Sequence, residues 1–315
     1  MNHSHSLPQE SSSPLILGIA MLSNTLNMVS LVWNHPANRN RKVLALTSAA
    51  AWQAYKRTVR RPIAIEAYGM KFRCYPDSKE AGRMIYFNKL PDPSEMQFAQ
   101  RFLRAGDSVI DAGANVGVYT LYFASIVGKT GHVLAIEPGK PAFDRLCENV
   151  EINNLTSVKT VQVAVSDFSG AADFTEGGDT GNRLRAVGTG NRPIVSVEVR
   201  TLDSLIGCDQ YALGKMDVEG AEPMALKGAE NSLGRSTPPV WMIEMTNRTL
   251  NRSGSSVLAL TEWLSSNGYD LWTYDETSNL LSAYEDRPRR PGVHGDAIAV
   301  ARHRLSWVKE RIGAR

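Results

Sequence analysis

The sequence predicts an α/β fold, in which helices cover both faces of a mostly parallel sheet whose last strand is antiparallel. Three observations predict it. Short apolar runs of β type alternate with amphipathic helical runs along most of the chain, which is typical of right-handed β-α-β crossovers. A glycine-containing turn follows the first of these β runs. The last two β runs have no helical run between them, which favours an antiparallel pair at the end of the sheet.

The sheet-forming elements begin at about residue 96. The β runs lie at 107–112, 132–137, 158–165, 213–218, 239–245, 269–274 and 296–301, and the helical runs at 117–128, 140–153, 221–233 and 256–267. A preceding helix is expected in "SEMQFAQRFL", with Ser94 as its N-cap. We therefore predict a main domain at 96–305 and a C-terminal tail at 306–315. The Gly- and Asn-rich segment 176–193, which contains Arg183 and Arg185, is predicted to be a surface loop or a substrate lid.

Residues 1–95 are predicted to form an N-terminal extension. It begins with a polar leader that we expect to be disordered, continues with helical runs, and includes "PIAIEAYGMKFRCYPD", whose alternation predicts a β-hairpin. The uncharged stretch 14–33 contains an apolar stripe at helical spacing. Polar residues interrupt this stretch, which favours an amphipathic helix docked on the domain, with an interfacial membrane helix and a true membrane span as alternatives. The stripe consists of Leu15, Ile19, Leu22, Leu26, Val29 and Trp33.

Composition and charge limit the classes of function. With 43% hydrophobic and 21% charged residues, the chain is typical of a soluble globular protein, and its net charge of +3 does not indicate nucleic-acid binding. The positive charge is unevenly distributed: seven Lys and Arg residues and no acid lie between Ser11 and Ile65, and Arg287, Arg289 and Arg290 form a second cluster. We expect solvated basic faces, with an anionic lipid or a phosphorylated substrate as the alternative. Three widely spaced cysteines favour a reducing compartment, and we expect a cytoplasmic protein.

The turn in "VIDAGANVGVYT" indicates a ligand other than a dinucleotide. A dinucleotide fold requires G-x-G-x-x-G, whereas here three residues separate Gly113 from Gly117, and Asn115 lies between them. Asn115 still permits an unusual backbone angle. Asp111 stands just before the turn, where its negative charge would repel phosphates. The pattern favours a ligand with a cationic, amino-acid-bearing end, such as S-adenosylmethionine.

Glu137 ends the next β run, in "VLAIEP", twenty residues after Gly117. A carboxylate at this position can accept hydrogen bonds from both hydroxyls of a ribose. Glu137 therefore supports an adenosine-containing ligand but does not distinguish S-adenosylmethionine from NAD. The distinction depends on Asp111 and on the glycine spacing, which disfavour an NAD-dependent oxidoreductase.

Several motifs together resemble the FkbM-type methyltransferases. They are "DSVIDAGANVGVYTLYFA", "VLAIEP", "NVEINN", "VAVSDFSG", "VRTLDSLI" and "GKMDVEGAEPMALKGAE", in the family's order over about residues 100–245. The resemblance implies a Rossmann-like class I methyltransferase that depends on S-adenosylmethionine, generally an O-methyltransferase of sugars or polyketide-like products. The cofactor-binding residues that it implies are Asp111, Gly113, Asn115, Gly117 and Glu137, with Asp167 near the adenine amino group.

Three carboxylates are the candidate catalytic residues. The resemblance implies that the "GKMDVEG" strand lies beside the "VIDAG" strand, so that Asp217 and Glu219 emerge next to the cofactor and Glu244 emerges one strand further along. Methyl transfer to a hydroxyl needs in-line placement and a proton acceptor. We predict Asp217 or Glu219 as the base or the hydroxyl-orienting group, with Glu244 supporting substrate binding.

Other roles stay open for this part of the chain. Asp217 can brace the turn, and Glu222 can pair with a helix terminus. No metal site is predicted, although a divalent metal shared by Asp217 and Glu244 is an alternative. His294, in the loop before the last β run, is an alternative base.

The expected acceptor is a small molecule or a glycan with a hydroxyl group. No nucleic-acid partner is expected, because the basic clusters lack the interleaved aromatic residues that stack bases. Methylation of nucleic acid or protein is the alternative within the class, and a non-catalytic cofactor-binding or membrane-peripheral scaffold is the alternative outside it. Peripheral membrane contact through the N-terminal helix and a homo-oligomer also stay open.

Overall fold

The computed structural model describes residues 25–176, 183–184, 193–286 and 296–314. The helices are α1 (25–34), α2 (Lys42–Thr58), α3 (Lys79–Tyr86), α4 (Pro93–Phe102), α5 (Val118–Val127), α6 (Lys140–Glu151), α7 (Leu202–Ile206), α8 (Glu222–Lys227), α9 (Glu230–Leu233), α10 (Asn247–Leu250), α11 (Val257–Ser266) and α12 (Leu305–Ile312). The strands are β1 (Ile63–Ala67), β2 (Met70–Cys74), β3 (Ser108–Ala112), β4 (His132–Ile136), β5 (Val158–Val161), β6 (Ala164–Val165), β7 (Gly170–Thr175), β8 (Arg183–Leu184), β9 (Ile194–Arg200), β10 (Leu213–Met216), β11 (Val240–Ile243), β12 (Tyr269–Asp275), β13 (Leu280–Ala283) and β14 (Ala297–Ala301).

The central sheet has eight strands in the order β13-β12-β14-β11-β10-β3-β4-β5. Strands β5, β4, β3, β10 and β11 run parallel, and β14 is antiparallel to both β11 and β12. This arrangement confirms the predicted fold class, including the antiparallel last strand. The strand order reverses between β3 and β10, and in open α/β sheets ligands bind at the carboxyl ends of the strands beside such a reversal.

The central strands are buried because helices cover both faces of the sheet. Strands β10 and β11 are buried at every position, as continuous apolar runs in parallel sheets usually are. Successive side chains enter opposite layers: Val109 belongs to the core beneath α5, and Ile110 to the core on the other face. The carboxyl ends of β3 and β10 lie side by side, with Met216 paired to Ala112.

The predicted β-hairpin of the extension is confirmed as β1 and β2. Its outer edge is covered by two amides of the motif "NVEINN", Asn149 in α6 and Asn153 in the turn that follows α6. Asn153 accepts a hydrogen bond from the backbone N–H of Lys71 at 2.8 Å, and the buried Asn149 accepts one from the N–H of Arg73 at 2.7 Å. Asn149 also donates to the carbonyl of Val116 in the glycine turn at 2.8 Å. The hairpin, α6 and the turn are therefore one hydrogen-bonded unit.

The extension shares its hydrophobic core with the main domain. Trp52, Phe72 and Met84 belong to the same buried cluster as Phe98 and Tyr122. The hairpin and α3 thus form a wall of the domain.

The N-terminal helix lies differently from the predicted docked stripe. Within the described part of α1, the residues packed on the domain are Met28 and the fully buried Val32. Leu26, Val29 and Trp33, which belong to the predicted stripe, are 59%, 37% and 41% exposed. The prediction that the stripe docks is wrong for these three residues, because Met28 and Val32, which lie between them in the sequence, provide the contact with the domain. The remaining stripe residues lie outside the described part of the chain.

Several predicted elements have different bounds in the structure. The helix predicted from Ser94 begins at Pro93 with Asp92 as its N-cap, and Ser94 instead donates a hydrogen bond to Glu276. The predicted β run 158–165 splits into β5 of the central sheet and β6 of a smaller sheet. The helical run 221–233 splits into α8 and α9 at Gly228, where a Cβ would overlap the carbonyl oxygen of Ser166.

Two further differences concern the C-terminal third. In the sequence, strand β13 comes between the last two predicted strands, and it pairs with β12. The sequence analysis did not predict this strand because the segment that contains it is polar. The predicted C-terminal tail contains α12, whose Val308 and Ile312 are buried in the domain core. The side chains of Arg311 and Asp107 form an ion pair at 2.5 Å that fixes this helix. Of the helices in the described ranges, none combines the length and the apolar character that a membrane span requires.

Candidate active site

A cavity of about 580 Å³ lies at the carboxyl ends of the strands on both sides of the strand-order reversal. Its walls are the glycine turn after β3, the end of β4, the turn after β10, the residues after β11, and part of α3 from the extension. Cofactor and small-molecule sites usually occupy about 300–1,000 Å³. The cavity is therefore large enough for a cofactor-sized ligand.

The glycine turn has a left-handed backbone at three alternating positions. The φ angles are 83° at Gly113, 50° at Asn115 and 94° at Gly117. A Cβ on Gly113 would overlap the carbonyl oxygen of Asp217, so glycine is required because the end of β10 comes so close. At Gly117, the N-cap of α5, a Cβ would lie 2.9 Å from the side chain of Leu146. Packing against neighbouring elements thus fixes both glycines.

Glu137 lines the cavity at the end of β4 and is held by the backbone. Its Oε2 accepts a hydrogen bond from the N–H of Asn115 at 3.0 Å, and its Oε1 accepts one from the N–H of Gly139 at 2.8 Å. Burial raises the pKa of Glu137 to about 7, against the lowering effect of the two N–H donors. Each carboxylate oxygen keeps a further lone pair, so Glu137 can still accept hydrogen bonds from ribose hydroxyls.

Asp111 is only 1% exposed and lines the same cavity. Its Oδ2 accepts a hydrogen bond from Thr120 Oγ1 at 2.6 Å, whereas no hydrogen-bond donor among the described residues reaches Oδ1. Burial raises the pKa of Asp111, and the charge of Lys215 opposes this shift. A buried carboxylate oxygen without a donor fits a cationic ligand group and disfavours a phosphate. The turn therefore fits the amino-acid end of S-adenosylmethionine.

Lys215, which the sequence analysis missed, places a buried ammonium among these acids. It is the register partner of Asp111 on the neighbouring strand, and its Nζ donates to Asp217 Oδ2 at 2.9 Å. The same Nζ lies 4.7 Å from the centre of the Tyr119 ring. Burial lowers the pKa of Lys215, but the carboxylates of Asp217, Asp111 and Asp296 outweigh it and raise the pKa overall. Lys215 is therefore charged.

A family model described as "Methyltransferase FkbM domain" matches residues 111–271, about half of the chain. The chain belongs to the FkbM methyltransferase family. It is 25% identical to methyltransferase sdnD of Sordaria araneosa over 198 residues, which are 49% of this chain and 76% of that protein. The resemblance drawn from the motifs is confirmed: the protein is a methyltransferase dependent on S-adenosylmethionine, and the NAD-dependent alternative is excluded.

Solved structures of low sequence identity are similar to the chain in general fold. The METTL16 methyltransferase domain has a TM-score of 0.42 and 15% identity, covering 82% of this chain and 81% of that chain. M. jannaschii TYW2, solved in complex with AdoMet, has a TM-score of 0.39 and 16% identity, covering 76% of this chain and 84% of that chain.

In this FkbM methyltransferase, the predicted catalytic residue Glu244 has a strongly perturbed carboxyl group. It directly follows β11, is buried, and accepts a hydrogen bond from Thr249 Oγ1 at 3.4 Å. Burial, followed by the charges of Asp217 and Glu222, raises the pKa of Glu244 to about 9. The carboxyl group of Glu244 is therefore mostly protonated at neutral pH.

The turn after β10 carries Asp217 and Glu219 into the cavity. Asp217 is half-exposed and bound by Lys215, and Glu219 has a left-handed backbone with a φ of 56°. The fully buried Glu222 accepts hydrogen bonds from the backbone N–H groups of Val218 at 3.0 Å and Gly220 at 3.2 Å. Glu222 therefore braces this turn, which is a structural role.

Asp167 does not join the other predicted site residues. It is exposed, does not line the cavity, and accepts a hydrogen bond from Ser166 Oγ at 3.2 Å. The apolar residues Val163 and Val165 line that part of the cavity instead. His294, the alternative base, lies outside the described residues.

The extension supplies a charged wall that the sequence analysis did not identify. Arg83 of α3 pairs with Asp92 at 2.6 Å and with Glu80 at 3.1 Å, and Asp92 accepts a hydrogen bond from the hydroxyl of Tyr119 at 3.3 Å. Because the Tyr119 ring also contacts Lys215, polar contacts run without a break from α3 to Asp217. The only sequence signal near this wall is the pair Asp92-Pro93 at the start of α4.

The described residues contain no group of three or more His, Cys, Asp or Glu side chains arranged to hold a metal. The alternative of a metal shared by Asp217 and Glu244 has no support from their contacts: Lys215 provides the positive charge beside Asp217, and burial favours the protonated form of Glu244.

Replacing Glu137 by alanine should weaken cofactor binding. The variant loses the carboxylate proposed to accept the ribose hydroxyls and releases the N–H groups of Asn115 and Gly139. Isothermal titration with S-adenosylhomocysteine should show at least about a tenfold rise in Kd, a loss of about 1.4 kcal/mol. Because the pKa of Glu137 is raised to about 7, wild-type affinity should increase between about pH 6 and about pH 8. The exposed Glu151→Ala on α6 is the control, and equal Kd values for both variants would remove Glu137 from the site.

Replacing Lys215 by methionine should destabilise the fold by about 3–5 kcal/mol, because it leaves buried carboxylates without their cation. Denaturant unfolding of the purified proteins measures this loss. The exposed Lys159→Met on β5 should change stability by less than about 0.5 kcal/mol. Adding Asp217→Asn to the Lys215 variant should restore part of the loss. No recovery in the double variant would contradict the charge-pairing explanation.

Proposed function

We propose that this methyltransferase is an O-methyltransferase that acts on a hydroxyl of a sugar, glycolipid or polyketide-like acceptor. The observation that supports the proposal is the buried Glu244 carboxyl, whose pKa is raised to about 9 beside the Asp217 turn. A hydroxyl is a weak nucleophile until a base accepts its proton, and a carboxylate of raised pKa is a stronger base than an exposed one. A site with such a carboxyl suits an alcohol acceptor better than a neutral amine. A neutral amine needs no base because its nitrogen lone pair can attack the methyl group directly.

The contacts of the three predicted carboxylates support separate roles. Lys215 neutralises Asp217, which reduces the ability of Asp217 to accept a proton and suits it to orient the acceptor hydroxyl. Glu244 has no cation of its own among the contacts described above, and its pKa is raised to about 9. We therefore assign the base to Glu244, in place of the predicted Asp217 or Glu219, and assign hydroxyl orientation to Asp217.

The chain's own residues account for binding, orientation and proton transfer. S-adenosylmethionine, when bound, supplies an electrophilic methyl group on a positively charged sulfur. Glu137 would hold the ribose and Asp111 the ammonium of the methionine part, as their free hydrogen-bonding capacity allows. Asp217 would hold the acceptor hydroxyl in line, and Glu244 would accept its proton at a carboxylate oxygen. A positive ligand in the cavity would also lower the pKa of Glu244 towards neutrality.

The rim of the cavity favours an acceptor with an anionic group. Lys79, Arg248 and Arg252 are exposed and line the cavity, and none of them forms an ion pair with another described residue. Thr249, between the two arginines, hydrogen-bonds to Glu244, and Ser253 donates to the carbonyl of Gly220 at 2.5 Å. These two hydrogen bonds fix the backbone segment that carries Arg248 and Arg252 relative to Glu244 and to the turn after β10. A phosphorylated or acidic glycan would match this distribution of charge.

A methyl-transfer screen tests the acceptor class. Extract of the source cells is incubated with methyl-labelled S-adenosylmethionine and separated into lipids, polysaccharides, small metabolites, nucleic acid and protein. We expect the label in a lipid, glycan or metabolite fraction as an alkali-stable methyl ether. Label found only in protein or nucleic acid would overturn the acceptor class and favour the corresponding alternative. Label released by mild alkali would indicate an ester and contradict hydroxyl methylation.

Glu244→Gln should lower kcat by about 10²–10⁴, because the amide cannot accept the proton, while the Kd for S-adenosylhomocysteine changes less than about threefold. Since the pKa of Glu244 is raised to about 9 in the ligand-free protein, wild-type kcat/KM for S-adenosylmethionine should increase up to about pH 9, whereas kcat should level off at a lower pH because the bound cofactor lowers this pKa. Stability should change in the opposite direction: the folded state binds the extra proton, so stability falls as the pH rises through the pKa of Glu244. The Gln variant should lose both effects.

Glu262→Gln, at an exposed position of α11, is the matched control for the kinetics and for unfolding at about pH 7 and about pH 10. If Glu244→Gln keeps the wild-type pH profile of kcat, another group is the base.

A further inference from the structure

The N-terminal helices present an apolar face to solvent. Helix α1 contacts the domain through Met28 and Val32, whereas its side chains Leu26, Val29 and Trp33 are exposed. Their spacing of three and four residues places them in one row along the helix. The row extends to the neighbouring helix, because the Nζ of Lys42, at the start of α2, lies 5.0 Å from the centre of the Trp33 ring.

Exposed apolar side chains are concentrated in this part of the molecule. Seven of the eleven large apolar residues that are exposed within the described ranges lie between residues 26 and 59. They are Leu26, Val29, Leu31, Trp33, Val43, Leu44 and Val59, and the other four are Phe168, Ile194, Leu258 and Leu280. Apolar residues scattered singly over a surface are ordinary, whereas an apolar cluster marks an interaction site.

The same segment carries positive charge only. Seven Lys and Arg residues and no acid lie between Ser11 and Ile65. They are Arg39, Arg41, Lys42, Lys56, Arg57, Arg60 and Arg61. All seven are exposed or half-exposed. The partner of this face must therefore accept apolar side chains and be negatively charged.

We propose that residues 26–61 form a docking face for the surface of an anionic lipid bilayer. A bilayer interface takes up apolar side chains among the acyl chains, while its anionic headgroups attract Lys and Arg. A second copy of this chain would bring like charges together across a two-fold interface. A nucleic acid would satisfy the cations but leave the aliphatic side chains in water. Charge complementarity and apolar exposure together select the bilayer.

The docking face adjoins the active site. A second cavity of about 400 Å³ is lined by Leu31 of α1 together with Tyr86 of α3 and its C-cap residue Phe87. Lys79 and Arg83 line both this cavity and the active-site cavity. A bilayer on the docking face would therefore lie close to the wall of the active-site cavity that α3 forms. The docking proposal stands on its own, whatever the acceptor.

Vesicle co-sedimentation of the full chain tests the proposal. The probes are vesicles of phosphatidylcholine alone and of phosphatidylcholine mixed equally with phosphatidylglycerol. We expect at least about tenfold tighter binding to the anionic vesicles, weakened by salt because counterions screen the attraction. The exposed triple variant Leu26→Ser, Val29→Ser, Trp33→Ser and the charge variant Arg39→Gln, Arg57→Gln, Arg61→Gln should each bind at least about tenfold more weakly.

The control variant is Phe168→Ser, Leu258→Ser, Leu280→Ser, which removes three exposed apolar side chains elsewhere and should bind vesicles as the wild type does. Titration with S-adenosylhomocysteine should be unchanged in all three variants, which verifies that they are folded. Absence of wild-type binding to anionic vesicles, or equal losses in the test and control variants, would overturn the proposal. The wild type could instead self-associate, and the Leu26 triple variant could abolish this self-association while binding vesicles as the wild type does. That result would assign the face to a second copy of the chain.

Discussion

The cavity at the carboxyl ends of the strands depends on one positive charge, the ammonium group of Lys215. It lies in a strand buried on both faces, opposite Asp111 and within hydrogen-bonding distance of Asp217. Without it, carboxylates from adjacent strands would repel one another at low dielectric, and some would have to protonate or the strand ends would separate. With it, the acids stay close enough to form one cavity. A positive cofactor fits the remaining negative charge.

The distribution of protons in this cavity follows from which acids have partners. Asp217 has Lys215, and Glu137 has two backbone N–H groups, whereas Glu244 has a single long hydrogen bond from Thr249. The pKa of the least compensated carboxyl, Glu244, is raised to about 9, whereas those of Glu137 and Glu222 are raised only to about 7. This difference between neighbouring carboxyls supports the proposed assignment of Glu244 as the proton acceptor.

The extension is part of the structure that surrounds the cavity. Asn149 connects the hairpin to the glycine turn, and Arg83 connects α3 through Asp92 and Tyr119 to Lys215. The extension therefore contacts both the cofactor turn and the charged cluster around Lys215. The proposed docking face belongs to the same extension.

The sequence by itself determined the fold class and the cofactor turn, because local patterns encode them. Apolar runs alternating with helical runs specify a parallel sheet, and the left-handed positions need Gly113, Asn115 and Gly117 at fixed spacing. Only the tertiary structure determined which charged side chains contact one another. No local pattern relates Lys215 to Asp111 or Arg83 to Asp92, and Asp167 matched a family position yet lies outside the cavity. Burial and pKa depend on atoms from distant segments, so the proposed base and the outward face of α1 emerge only when the strands and helices are packed together.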